Sequence, residues 1–204
     1  MTWTLKASLG GVVALLLAVS AQAQAPQTVR IRGQIEKMDG ALMTIKARDG
    51  STLAVKLADD ARVLALVKAS LADIKKDSFI GIAGEPQPDG SIKAFSVHMF
   101  LPAQRGVVAD RHGPWDARPN STMTNAYVES TVASADGEVL MVKYKDGEKK
   151  VIVTPATVIA ANAPGDKSEL KPGAQIIIFA AQKQADGSLL APAIYVGRGF
   201  APAM

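Results

Sequence analysis

Few side chains here have the chemistry of a reactive or ligand-holding site, and most of them gather around one stretch. The chain has two histidines, His98 and His112, and no cysteine. Imidazole suits zinc, and imidazole with thioether suits copper. His98 and His112 with Met99 and Met123, and with Asp110 or Asp116 nearby, are therefore the candidate metal ligands. No two of them have the spacing of a metal motif such as His-x-x-x-His. The run Arg111-His112-Gly113-Pro114-Trp115-Asp116 supplies the candidate ligand-binding residues Arg111, His112 and Trp115. Trp115 either pins this segment into a groove or stacks on a ligand. Asn120-Ser121-Thr122 matches a glycosylation acceptor, which is uninformative in a chain of bacterial type.

Catalytic patterns are missing. There is no Gly-x-Ser-x-Gly elbow and no Gly-rich phosphate loop ahead of a helix. The aspartates sit mostly at turn positions, where a carboxylate serves the local backbone. Lys145-Asp146-Gly147-Glu148-Lys149-Lys150 reads as a solvated hairpin tip. The expectation is a protein that is not an enzyme and has no cofactor, copper or zinc being the alternative.

Composition narrows the partners. A net charge of +4, evenly spread over 204 residues, implies no nucleic-acid partner. Residues 41–57, the strands that would present bases in an oligonucleotide-binding barrel, contain no aromatic side chain. At the start of the chain, Lys6 precedes an apolar run from Leu9 to Val19, and Ala21 and Ala23 follow with small-x-small spacing. This is the pattern of a cleaved export leader, residues 1–23, with cleavage after Ala25 as the alternative. The run is too short for a good membrane anchor and no second span follows, so a periplasmic protein that is not integral to the membrane is expected. Without disulfides, its fold must rest on apolar cores.

The elements that position these residues come from an internal repeat. Asp39-Gly40, Asp49-Gly50 and Asp89-Gly90 are matched by Asp136-Gly137, Asp146-Gly147 and Asp186-Gly187, each pair 97 residues apart. Asp-Gly between alternating apolar runs predicts hairpins, with the type I′ turn expected. Met43, Ile45 and Ala47 answer Leu140, Val142 and Tyr144, and Val97 and Met99 answer Ile194 and Val196. That alternation turns His98 away from its own core. Each copy reads as three strands, a longer connection and two strands. The fold class is all-β: two tandem five-stranded OB-like barrels, residues 29–100 and 126–197, joined by a Pro-rich connector, 101–125. A pair of open sandwich-like sheets is the alternative. In the first copy Leu66, Val67, Leu71 and Ile74 have helical spacing, which predicts a short helix between strands 3 and 4. In the second, Ala163-Pro164-Gly165-Asp166 predicts a turn there instead.

These recurring turns, with Leu170-Lys171-Pro172-Gly173 before Ile176-x-Ile178 and a closing Asp-Gly-Ser, resemble DUF5666, a bacterial family of exported β-rich domains of unknown function. The first copy departs from the pattern with Ile74-Lys75-Lys76-Asp77. The resemblance implies an exported β-rich fold and carries no catalytic residue. The expected function is a non-catalytic binding or structural module of the cell envelope, with an envelope protein or an oligosaccharide as partner. The alternative is periplasmic handling of copper or zinc through His98 and His112.

Overall fold

A computed structural model of the chain describes residues 27–135 and 137–203. The expected leader lies outside them, as does Asp136. The first half forms β1 (Thr28–Asp39), β2 (Leu42–Ala47), β3 (Thr52–Lys68), β4 (Phe79–Pro86) and β5 (Ile92–Met99). A short β6 (Arg111–Pro114) follows. The second half forms β7 (Thr122–Ser134), β8 (Gly137–Tyr144), β9 (Gly147–Val153), β10 (Val158–Pro164), β11 (Gln175–Lys183) and β12 (Leu189–Gly197). The protein is all-β, and among the described residues no helix is long and apolar enough to cross a membrane.

The strands close two five-membered rings, in a grouping different from the one the repeat suggests. In one ring β1 pairs with β2, β2 with β3, β3 in parallel with β12, β12 with β11, and β11 with β1. In the other, β7 pairs with β8, β8 with β9, β9 in parallel with β5, β5 with β4, and β4 with β7. Each barrel thus takes its first three strands from one half of the chain and its last two from the other. Residues 29–100 and 126–197 are not separate barrels; they exchange their final hairpins. Closure also removes the open-sandwich alternative, because neither ring leaves an unpaired edge to splay.

The cores record the same exchange. Ile31, Ile35, Met43, Ile45 and Val55 pack with Ile176, Ile178 and Ile194 in one barrel. Ile80, Ile82, Ile92 and Val97 pack with Val128, Leu140, Val142 and Val151 in the other. Burying each such side chain contributes about 1.5–3 kcal/mol relative to exposure. Neither half can fill a core by itself.

The length of β3 explains the crossing. Its 17 residues reach about 55 Å at 3.3 Å per residue, so the chain leaves the first barrel before it can turn back. Leu64 to Lys68 pair antiparallel with β10, which pairs in parallel with β5. In the second half β9 and β10 are separated at Thr154-Pro155, where proline offers no N–H. Ile159 on β10 faces Val97 just as Val63 on β3 faces Ile194. The central pair of the β3–β10 ladder, Leu66 with Asn162, therefore joins equivalent positions of the two copies. A pseudo-two-fold axis passes through it.

Three local expectations change. The helix expected between strands 3 and 4 is absent: Ala65 is paired on both sides, to Val196 and Ala163. Strand pairing there overrides the helical spacing. Only a 3-10 turn, Leu71–Asp73, remains, and the second copy has its counterpart at Lys167–Glu169 despite Pro164-Gly165. The turns at Gly50, Gly90 and Gly187 are not type I′. In each, only the glycine has positive φ, at 89°, 81° and 83°, and its N–H donates to the residue three before it. The preceding aspartate accepts from the following serine N–H, as in Ser51 to Asp49 at 2.9 Å. Finally, the connector is not structureless. It holds a 3-10 turn, Pro102–Gln104, and β6, and its last residues already belong to β7.

Candidate functional site

β6 lies against β7, and the alternation of a pleated sheet decides which of its side chains share a face. Across β6, β7, β4 and β5, Arg111 is opposite Asn125, Asn125 opposite Gly81, and Gly81 opposite His98. The next row is His112, Thr124, Ile82 and Val97, with Ile82 and Val97 in the barrel core. His98 and Arg111 thus share the outer face, and His112 belongs to the inner one.

His98 points away from its own core, as the alternation predicts, but it is not a surface residue: it is 4% exposed. Gly81 makes its place, since a Cβ there would come within 2.4 Å of the ring's Cε1. Phe100 meets the imidazole edge-on at 4.4 Å. Burial pushes the pKa down to about 3, so the ring is neutral at ordinary pH. On the other face, His112 Nδ1 is 2.8 Å from Thr124 Oγ1, and its ring is near Tyr144. Partial burial and the Lys149 charge lower its pKa.

The metal-ligand set consequently divides. His98 and Met123 face outward, while His112 and Met99 belong to the inward rows, Met99 packing against the core. The sheet itself separates the two imidazoles. Among the described residues no three His, Asp or Glu side chains gather as a metal site.

What the structure brings together is a cleft of about 360 Å³ between the barrels. One wall carries Arg30, Phe179 and Tyr195; the other carries His98, Phe100, Met123 and Asn125. The connector supplies Val108, Arg111 and Trp115. Trp115 follows β6 directly, and its backbone N–H donates to Ser121 O at 2.8 Å. The Arg30 guanidinium is 3.7 Å from the indole centroid. Arg30 and Arg32 both donate to Asp116 Oδ1, at 2.6 and 2.7 Å. Burial raises the Asp116 carboxyl, but the Arg32 hydrogen bond and the two cations outweigh it and hold it below its usual range. Gln104 steadies the connector's other end: it accepts from Asn162 Nδ2 at 2.8 Å and donates to Tyr195 Oη at 3.4 Å. Trp115 thereby does what the packing reading expected, joining an inter-barrel cluster with Leu66, Ala83, Met123 and Ile177. It also lines the cleft.

No family model, curated protein or solved structure matches the chain. Of the candidate residues, Trp115, Arg111, His98 and Met123 meet at the cleft; His112, Met99, Asp110 and Asp116 do not line it. Arg30, Phe100, Asn125, Phe179 and Tyr195 were not anticipated. A signal for two of them exists in the apolar runs Ile176-Ile177-Ile178-Phe179 and Ala193-Ile194-Tyr195-Val196. A strand apolar on both faces is covered on both faces, here by the second barrel. A larger groove, of about 780 Å³, runs past Glu169, Gly173 and Arg198. Its Arg198 and Glu169 already satisfy each other at 2.9 Å.

Proposed function

We propose that this protein is a non-catalytic binding module of the bacterial cell envelope, with its ligand site in the cleft between the two barrels. One observation carries the reading: Trp115, Arg111, His98 and Met123, singled out by residue type alone, line a single cavity with three further aromatic side chains. Pockets of this size, mostly apolar with a few convergent polar groups, are the usual form of small-molecule sites. The neutral, tightly held imidazole of His98 has the character of a wall rather than of a proton shuttle. The leader pattern supports a periplasmic location, and the turn pattern supports membership of the DUF5666-like exported domains.

We read both barrels as OB-like. Each has three meandering strands closed by a hairpin from the other half of the chain, with the third strand and the last strand of that hairpin parallel. OB barrels usually take ligands on strands 2 and 3 and the adjoining loops. The cleft proposed here uses other faces, so the fold does not dictate its ligand. Trp115 and Trp3 are the two tryptophans, and removal of the leader would leave the Trp115 indole N–H as a single resolved NMR reporter. Titration with a small-molecule fraction extracted from bacterial envelopes is expected to shift that signal together with the His98 ring protons. No change at either group, or changes confined to the Glu169–Arg198 groove, would overturn the reading.

A further inference from the structure

Resting on that reading of the cleft, we propose that its ligand is a small organic anion: a carboxylate or phosphate group carried on an apolar ring or chain. Charge is the first argument. Arg30 and Arg111 line the cleft, and among the described residues no Asp or Glu does. Asp116, beside the cleft, is shared by Arg30 and Arg32 through a single oxygen. Arg111 makes no ion pair with any described residue. The lining of the cleft therefore carries cationic side chains and, among the described residues, no carboxylate, a charge that a ligand anion would offset.

Hydrogen-bonding capacity points the same way. Arg30 Nε and Trp115 Nε1 are buried donors with no hydrogen-bond partner among the described residues. Buried donors are normally satisfied, and each exception asks for an acceptor. Two such N–H groups on neighbouring side chains, with the exposed Arg111 guanidinium lining the same cleft, suit the oxygens of a carboxylate or phosphate.

The rest of the cleft sets the other end of the ligand. Phe100, Phe179, Met123 and Val108 offer apolar surface on both walls. About 360 Å³ is near the lower limit of small-molecule sites. That favours a compact body over an extended polymer.

The test uses the mature chain and five probes: benzoate, phenyl phosphate, inorganic phosphate, benzamide and benzylamine. Trp115 fluorescence and the indole and His98 NMR signals report binding. Benzoate or phenyl phosphate is expected to bind at least tenfold more tightly than benzamide and benzylamine, with the preference declining as salt rises. The stronger of the two identifies the anionic group. Inorganic phosphate alone is expected to bind more weakly, because it leaves the apolar walls unused. Arg111→Ala, an exposed change that leaves both cores intact, is expected to weaken the anions about tenfold and to leave benzamide unchanged. Arg111→Lys should restore part of the loss. Equal binding of benzamide or benzylamine would overturn the anionic assignment while leaving the cleft a ligand site. If no probe moves either reporter, both the assignment and the cleft reading fail.

Discussion

At the scale of single residues, His98 is the side chain whose environment can be tested most directly. Its folded pKa of about 3 lies below the ordinary 6.5, so the unfolded chain binds the extra proton first as pH falls. The stability this burial contributes is fully present above pH 6.5 and drains away between about pH 6.5 and 3, by about 1.4 kcal/mol per pH unit. Urea unfolding at a series of pH values is expected to show that slope, and His98→Asn to flatten most of it. The carboxylates of Asp49, Asp89 and Asp186, lowered by their serine partners, act only in more acid solution. Their contribution is present above the ordinary carboxylate range and is lost as pH falls through their depressed values. Gly81→Ala is the complementary change. Its methyl group would meet the imidazole, and overpacking of this kind costs about 1–3 kcal/mol. Ring NMR signals of His98 should move with the loss of stability; an unmoved ring would show that the contact with Gly81 is not the constraint. The gathering of Trp115, Arg111 and His98 was legible as a cluster of unusual residue types. The burial of His98 was not, because alternation sets the face on which the ring lies and not the enclosure that Gly81 and Phe100 give it there.

At the scale of elements, the sequence was most informative about turns and alternation. Asp-Gly-Ser marks a hairpin end at residues 49–51, 89–91 and 186–188, and the strand patterns around Met43-Thr44-Ile45 and Val97-His98-Met99 point the expected way. Turn type was less legible, since the same dipeptide serves a turn in which only glycine is left-handed. Gly50→Ala, Gly90→Ala and Gly187→Ala are each expected to cost about 1–2 kcal/mol, because a side chain in that conformation meets the following carbonyl. Equilibrium unfolding checks this; alanine tolerated at all three positions would contradict the turn geometry. Asp39-Gly40 and Asp136-Gly137 match in sequence, yet Gly40 lies in its turn while Gly137 pairs with Ser134 inside the ladder. The hairpin of the second copy is simply longer. The missing helix has the same lesson: Leu66, Val67 and Leu71 fit a helical stripe, but a partner strand on each side of Ala65 offers more hydrogen bonds than a lone turn.

At the scale of the whole molecule, the pairing of copies was invisible in the repeat. Equivalent hairpins fit either barrel equally well by type, so only long-range geometry, above all the extension of β3, decides which barrel each completes. A protease site inserted between Gly106 and Val107, where Val107 is 71% exposed, gives a clear test. After cleavage the two pieces should elute together at the size of the intact protein and part only in denaturant. Two separate folded pieces would refute the exchange. Unfolding of the uncut chain should likewise be a single transition, since each core needs both halves.

The pseudo-two-fold axis has a consequence for specificity. Tyr195, Ile177 and Arg32 form a row in one barrel that corresponds to His98, Gly81 and Asn125 in the other. Two identical subunits would be obliged to display one set of groups twice, and any molecule lying on their axis would meet mirrored demands. Tethering the copies lifts that obligation: a substitution in one row leaves its counterpart untouched. The two walls of the cleft therefore present different groups, so two opposite orientations across it are not equivalent, as they would be on the axis of a symmetric pair.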